Sequence, residues 1–104
     1  MSDQQHYLKL LAQMGGRRIA VIGDVMLDKF LTGNIDRLSA EAPIPIVDIV
    51  EETYQLGGAA NVANNLSALG DVPILFSVVG DDENGERLRS LIRKNSNCEH
   101  FIFP

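Results

Sequence analysis

Hydrophobic positions in this chain alternate between helical stripes and short apolar runs. Tyr7, Leu8, Leu11 and Met14 recur at helical spacing behind Ser2 or Asp3, either of which can cap a first helix. Gly15 and Gly16 stop it. Arg18 to Ile22 (RIAVI) then reads as a buried parallel strand that enters a loop at Gly23-Asp24. From Phe30 to Leu56 the pattern changes, with Gly33, Pro43 and Pro45 and a β-branched stretch from Ile44 to Val50. Proline excludes a helix there and suits small peripheral strands, so this segment is expected to leave the main sheet.

Gly57-Gly58 opens a second helix whose apolar face is expected to be Ala59, Val62, Ala63, Leu66 and Leu69, with Gly70 as its stop. Pro73 to Val79 (PILFSVV) is a second buried strand ending at Gly80. Asp82 or Asn84 can cap a third helix marked by Leu88, Leu91 and Ile92, and Phe101 to Phe103 begins another strand. This alternation predicts an α/β fold, a doubly wound and mainly parallel sheet with helices on both faces. Ending on a fresh strand suggests a sheet cut short.

Composition narrows the class. The 104 residues, 45% hydrophobic and 22% charged, fit one small globular domain or a piece of a larger one. A net charge of −5, with nine scattered Lys and Arg, lacks the basic face a nucleic-acid binder needs. Cys98 is the only cysteine, which excludes an internal disulfide and a thiolate metal cluster. The first residues carry no secretory pattern and no apolar run spans a bilayer, so a cytoplasmic protein with no membrane partner is expected.

Two places could carry chemistry. A carboxylate at Asp24 or Asp28, just past a strand end, can accept hydrogen bonds from vicinal sugar hydroxyls; it can equally cap a turn. Gly57 and Gly58 let a ligand approach the backbone at a helix start, where Asn61 offers a donor and an acceptor. The same glycines could simply permit close packing of helix on sheet. GxGxxG and GxxxxGK[ST] are absent, and His6 and His100 have no ligand-spaced partners. Asp81, Asp82 and Glu83 are acids at a helix start, a common arrangement that needs no metal.

Read as one string, Gly57-Gly58-Ala59-Ala60-Asn61-Val62-Ala63 followed by Gly70 and Gly80 resembles the N-terminal signature of the ribokinase-like (PfkB) carbohydrate kinase family. Gly80 to Gly85 resembles that family's G-x-D-x-x-G turn. Within the family, VIGDVMLDKFLTGNIDRLSAEAPIPIV and GGAANVANNLSALG are similar to kinases of D-glycero-β-D-manno-heptose 7-phosphate, which form half of a bifunctional ADP-heptose synthase.

The resemblance implies a ribokinase-like fold with a small β lid at about 30–56, and ATP-dependent phosphorylation at C1 of a heptose 7-phosphate toward the lipopolysaccharide core. It implies that Asp28 and Asn61 bind sugar hydroxyls and that Gly57 and Gly58 let the sugar approach. Asp24 is a further contact. Arg37 meets a sugar phosphate, or else pairs with Asp36 or Glu41. The lid would exclude water and could pair two subunits as a homodimer. Ribose, fructose or nucleoside kinases are the alternative within the family, and a non-catalytic dimerisation module is the alternative outside it. The family's catalytic aspartate sits in a G-x-G-D motif that this sequence lacks, so no catalytic residue is assigned and the chain alone is expected to be inactive. ATP and Mg²⁺ would serve the full-length parent, with none expected to bind this chain tightly.

Overall fold

The computed structural model describes residues 2–95 and 97–104. Helix α1 (Asp3–Gln13) is started by a capping box: Gln5 N–H donates to Ser2 Oγ at 3.3 Å and Ser2 N–H to Gln5 Oε1 at 3.1 Å. Strands β1 (Arg18–Ile22), β4 (Val72–Val78) and β5 (Glu99–Phe103) form a parallel sheet in the order β1-β4-β5. Between β1 and β4 the chain makes a hairpin of β2 (Val25–Leu38) and β3 (Pro45–Gly58), then helix α2 (Ala59–Ala68). Helix α3 (Glu83–Arg93) joins β4 to β5.

The α/β class, the parallel sheet and a β excursion are therefore as the sequence predicts. Helices on both faces are not seen among the described residues. Ala60 and Ala63 of α2, Leu75 of β4, Ile92 of α3 and Cys98 form one core cluster, all on one side of the sheet. The cause is the direction of winding. Both crossovers move the chain the same way, from β1 to β4 to β5, and right-handed crossovers of one direction lay their helices on one face. A second layer requires a reversal, which these three strands do not contain. Consequently β1 is not buried throughout: Ile19 and Val21 point into the core, whereas Arg18, Ala20 and Ile22 are exposed.

The face of α2 differs from expectation in part: Ala59 and Ala63 pack on the core as expected, and Ala60 joins them. Ala60 and Ala63 are buried, because small side chains let the helix sit close on β4. Val62 and Leu69 are exposed. Leu66 and Leu69 line a gap of about 380 Å³ shared with Leu11 and Met14 of α1, a helix that buries no residue.

The excursion is one long ribbon rather than several small strands. Pro43 lies in the turn and Pro45 is the first residue of β3, so neither proline interrupts a ladder. Two register shifts, at Thr32/Gly33 and Ile35/Arg37, bend it. Fourteen residues per strand correspond to about 45 Å. The ribbon protrudes accordingly: the radius of gyration is 19.5 Å, against about 13 Å for a compact domain of this length. Helix α3 holds the near part of the ribbon through Arg87, whose guanidinium lies 4.6 Å from the Tyr54 ring centre and donates to Tyr54 Oη at 3.1 Å and Glu83 Oε1 at 2.7 Å.

Candidate functional site

Most of the sequence-selected residues meet at the root of the hairpin, where β1 leaves the sheet and α2 begins. Three hydrogen bonds fix this root. Gly23 N–H donates to Phe76 O at 3.3 Å, which continues the β1–β4 ladder by one residue. Ala59 N–H donates to Asp24 O at 2.9 Å, which ties the start of α2 to the start of β2. Val25 N–H donates to Ser77 Oγ at 3.2 Å.

Gly58 is required by this geometry, and Gly57 makes room for the carboxylate beside it. Met26 pairs with Gly57 and Asp28 with Gln55, which leaves Asp28 diagonal to Gly57 on one face of the ribbon. A Cβ on Gly57 would stand 2.5 Å from Asp28 Oδ2. Gly58 has φ of 58°, and a Cβ there would meet the Asp24 carbonyl. The space that the glycines vacate is thus taken by the protein's own Asp28 carboxylate and Asp24 carbonyl. The close approach at the pair is to β2 and the residue before it rather than of helix on sheet, and it seats a carboxylate.

That carboxylate is available. Asp28 is exposed, and among the described residues no hydrogen bond or ion pair engages its side chain. Beside it α2 starts without a side-chain cap, so its first-turn N–H groups carry the positive end of the helix. Asn61 stands exposed in that first turn. Next to the root, at the carboxyl ends of the strands, lies an open groove of about 270 Å³ lined by Gly23, Asp24, Ser77 and the apolar side chains of Ile22, Phe76, Val78 and Phe103. An exposed carboxylate, a helix start and an amide side chain can bind a polyol: the first two are complementary acceptor and donor, and the third is both.

Arg37 is not part of this group. It sits nine positions beyond Asp28 on β2, roughly 30 Å along an extended strand. There Arg37 Nη2 pairs with Asp48 Oδ1 at 3.5 Å across the ribbon, not with Asp36 or Glu41. The Gly80–Gly85 turn likewise has a structural basis. Asp82 caps α3 by accepting from Gly85 N–H at 2.7 Å, and Gly85 lies so close to the Gly80 carbonyl that no side chain fits. Ser77 escaped sequence reasoning because it stands inside an apolar run; only its burial and its bond to Val25 single it out. Cys98, whose thiol burial pushes upward from its ordinary value of 9.0, lies in the core away from the root.

Comparison with known proteins bears on the fold and the family. The fold matches the crystal structure of a protein assigned as a ribokinase from Agrobacterium tumefaciens, with a TM-score of 0.61 over 85% of this chain and 29% of that one, at 24% identity. Among curated proteins, the chain is similar to bifunctional protein HldE of Pelobacter propionicus, with 56% identity over 83 residues, 80% of this chain and 17% of that protein. HldE of Caulobacter sp. (strain K31) is 44% identical over 94 residues, 90% of this chain and 19% of that one. The chain thus spans about a fifth of the length of these relatives. Residues 17–96 match the pfkB family of carbohydrate kinases, and the chain belongs to that family.

Proposed function

We propose that this chain provides the sugar-binding root and lid of a kinase that phosphorylates C1 of D-glycero-β-D-manno-heptose 7-phosphate, and that alone it does not turn over ATP. The observation that carries the reading is the Asp28 carboxylate, without a protein partner among the described residues, seated over Gly57 beside the start of α2, which has no side-chain cap. Asp28 would accept hydrogen bonds from two neighbouring sugar hydroxyls. The first-turn N–H groups of α2 and the Asn61 amide would orient the ring, and the Asp24 segment would close the site from the β1 side. The choice of a heptose rests on the RLSAEAPIPIV and GGAANVANNLSALG segments together with the similarity to HldE proteins. ADP-heptose formation for lipopolysaccharide and a cytoplasmic location belong to the same proposal.

ATP and Mg²⁺ would supply the transferred phosphoryl group and its charge neutralisation. The residues of this chain do not fit such a site: among those described, no three Asp, Glu, His or Cys side chains converge to hold a metal, and G-x-G-D is absent from the sequence. No step of phosphoryl transfer is therefore assigned to this chain.

The lid would also pair two copies. Beyond the root, Leu31, Ile35, Leu38, Val47 and Ile49 share one face of the ribbon by register and are all about half-exposed or more.

Titration calorimetry of the chain with the heptose 7-phosphate tests the sugar reading. Asp28→Asn is expected to weaken binding about 10- to 100-fold, the range for losing hydrogen bonds to a charged acceptor. Equal affinity of the two proteins would remove Asp28 from the site. Repeated turnover in a coupled ATP assay by the chain alone would overturn the claim of inactivity.

A further inference from the structure

We infer that Ser77 is a positioning residue, a latch that fixes the root of the lid on the sheet and through it the placement of Asp28; the link to Asp28 rests on the sugar-binding reading above. Ser77 is the buried polar side chain of the described core, 7% exposed, in a strand whose other residues are apolar. Burying a hydroxyl is unfavourable unless it is hydrogen-bonded, and an apolar residue of similar size would fill the space equally well. The hydroxyl is therefore explained by its bond to Val25 N–H at 3.2 Å.

Its place in the fold gives that bond its effect. The β1–β4 ladder pairs Ile22 with Phe76, and Gly23 N–H reaches the Phe76 carbonyl. One residue further, at Ser77, the β1 chain has turned away to become the lid, and on that side the Ser77 side chain supplies the next bond. Val25 is paired with Gly58, while its neighbour Asp24 accepts from Ala59 N–H. A single side-chain oxygen thus adds a direct tie between β4 and the start of β2, and through Asp24 and Ala59 it reaches the start of α2, whose body packs on β4 by itself. The other two bonds of the root are backbone to backbone, so Ser77 is the contact a substitution can delete without altering the chain path. Asp28 lies three residues along the strand that Ser77 anchors.

The test compares the intact chain with Ser77→Ala and Ser77→Thr, the latter keeping the oxygen. Amide hydrogen exchange is expected to quicken at Val25 and Ala59 in Ser77→Ala while Leu75 in the core stays protected, with Thr restoring protection. Affinity for the heptose 7-phosphate is expected to fall about tenfold in the Ala variant, the scale of one lost hydrogen bond, and to recover in the Thr variant. Unchanged exchange at Ala59, or an increase shared equally by Leu75, overturns the latch. Unchanged affinity in Ser77→Ala alongside a loss in Asp28→Asn overturns the positioning of Asp28 and leaves the sugar reading standing. If the unmodified chain binds no sugar phosphate, the sugar reading fails, and the exchange result still decides whether Ser77 holds the root.

Discussion

The two faces of the β1-β4-β5 sheet are both largely apolar, apart from the Arg18–Glu99 ion pair at one end of the open face, and have opposite fates. On one face Pro73, Leu75 and Ser77 lie under α2 and α3, flanked by Ile19, Val21 and Ile102. On the other, Ala20, Ile22, Ile74, Phe76, Val78, Phe101 and Phe103 form an apolar surface without a helix over it among the described residues. Leu75 is 1% exposed, whereas Val78 is 65% and Ile22 81% exposed. The rings of Phe76 and Phe101 stack at 5.1 Å between centres and 10° between planes, which gives the open face some internal packing. Hydrophobicity makes a residue fit for a core; the direction of the crossovers decides whether a core forms over it. Parallel sheets are stable when both faces are covered, so the second face is where this unit has most stability left to gain.

The comparison can be broken most sharply within β4. Leu75→Ala is expected to cost about 2–5 kcal/mol in equilibrium urea unfolding, as for other buried leucines, while Val78→Ala three residues away changes stability by less than about 0.5 kcal/mol. Similar losses at both positions would mean that both faces are covered in solution. A smaller effect is expected at Cys98 on the covered face. Desolvation raises its thiol above 9.0, a backbone hydrogen bond involving Leu75 offsets part of this, and the Glu99 charge adds to it. The folded chain therefore holds the thiol proton to higher pH than the unfolded chain. The associated stability is fully present below about pH 9 and lost as pH rises through the folded value. Unfolding midpoints taken between pH 8 and 10 should fall more steeply for the natural chain than for Cys98→Ala. The smallest change in stability is expected from Ile22→Ser combined with Phe103→Ser, within about 1 kcal/mol. That pair should nevertheless lower the fluorescence of a dye that binds exposed apolar surface, by more than Leu31→Ser with Ile35→Ser on the ribbon does, and a smaller drop than on the ribbon would place the dye's main site there.

Periodicity in the sequence located the three helices and the three parallel strands; α2, α3 and the strands bury a stripe or a run against one core, whereas α1 buries no residue and is marked by its cap and its spacing alone. The glycine string located the root, since Gly57 and Gly58 are spaced by the close approach of Asp28 and Asp24. The extent of the lid was not legible. Val25 to Lys29 follows a strand end and reads as a loop, yet its partner segment lies some thirty residues away and pairing turns it into strand. Prolines in the segment suggested interruptions, but they fall at the turn and at the strand start. The buried face of α2 was misjudged in part: Ala59 and Ala63 pack as expected, but Val62 and Leu69 are exposed and Ala60 is buried, because small residues mark close contact where large ones only mark hydrophobicity. Ser77 could not be told from its apolar neighbours without knowing that β1 departs at its level.

The hairpin has a further consequence, for the order in which the molecule assembles. Sheet closure joins distant positions: Arg17 N–H bonds Asp71 Oδ1 across 54 positions, and Arg18 pairs with Val72. Such contacts are slow because the intervening loop must be closed first, at an entropic cost that grows with its length. Pairing within the ribbon from Val25 to Gly58 can begin at its turn, where the partners are close in sequence, and proceed stepwise toward the root, each step closing only a short loop. Once zipped, it brings Asp24 beside Ala59, so most of the loop between β1 and β4 is already closed before the two strands meet. Substitutions that weaken the turn near Ala42 should therefore slow refolding more than they speed unfolding. On this account the hairpin is a splint for the nascent sheet before it is anything else.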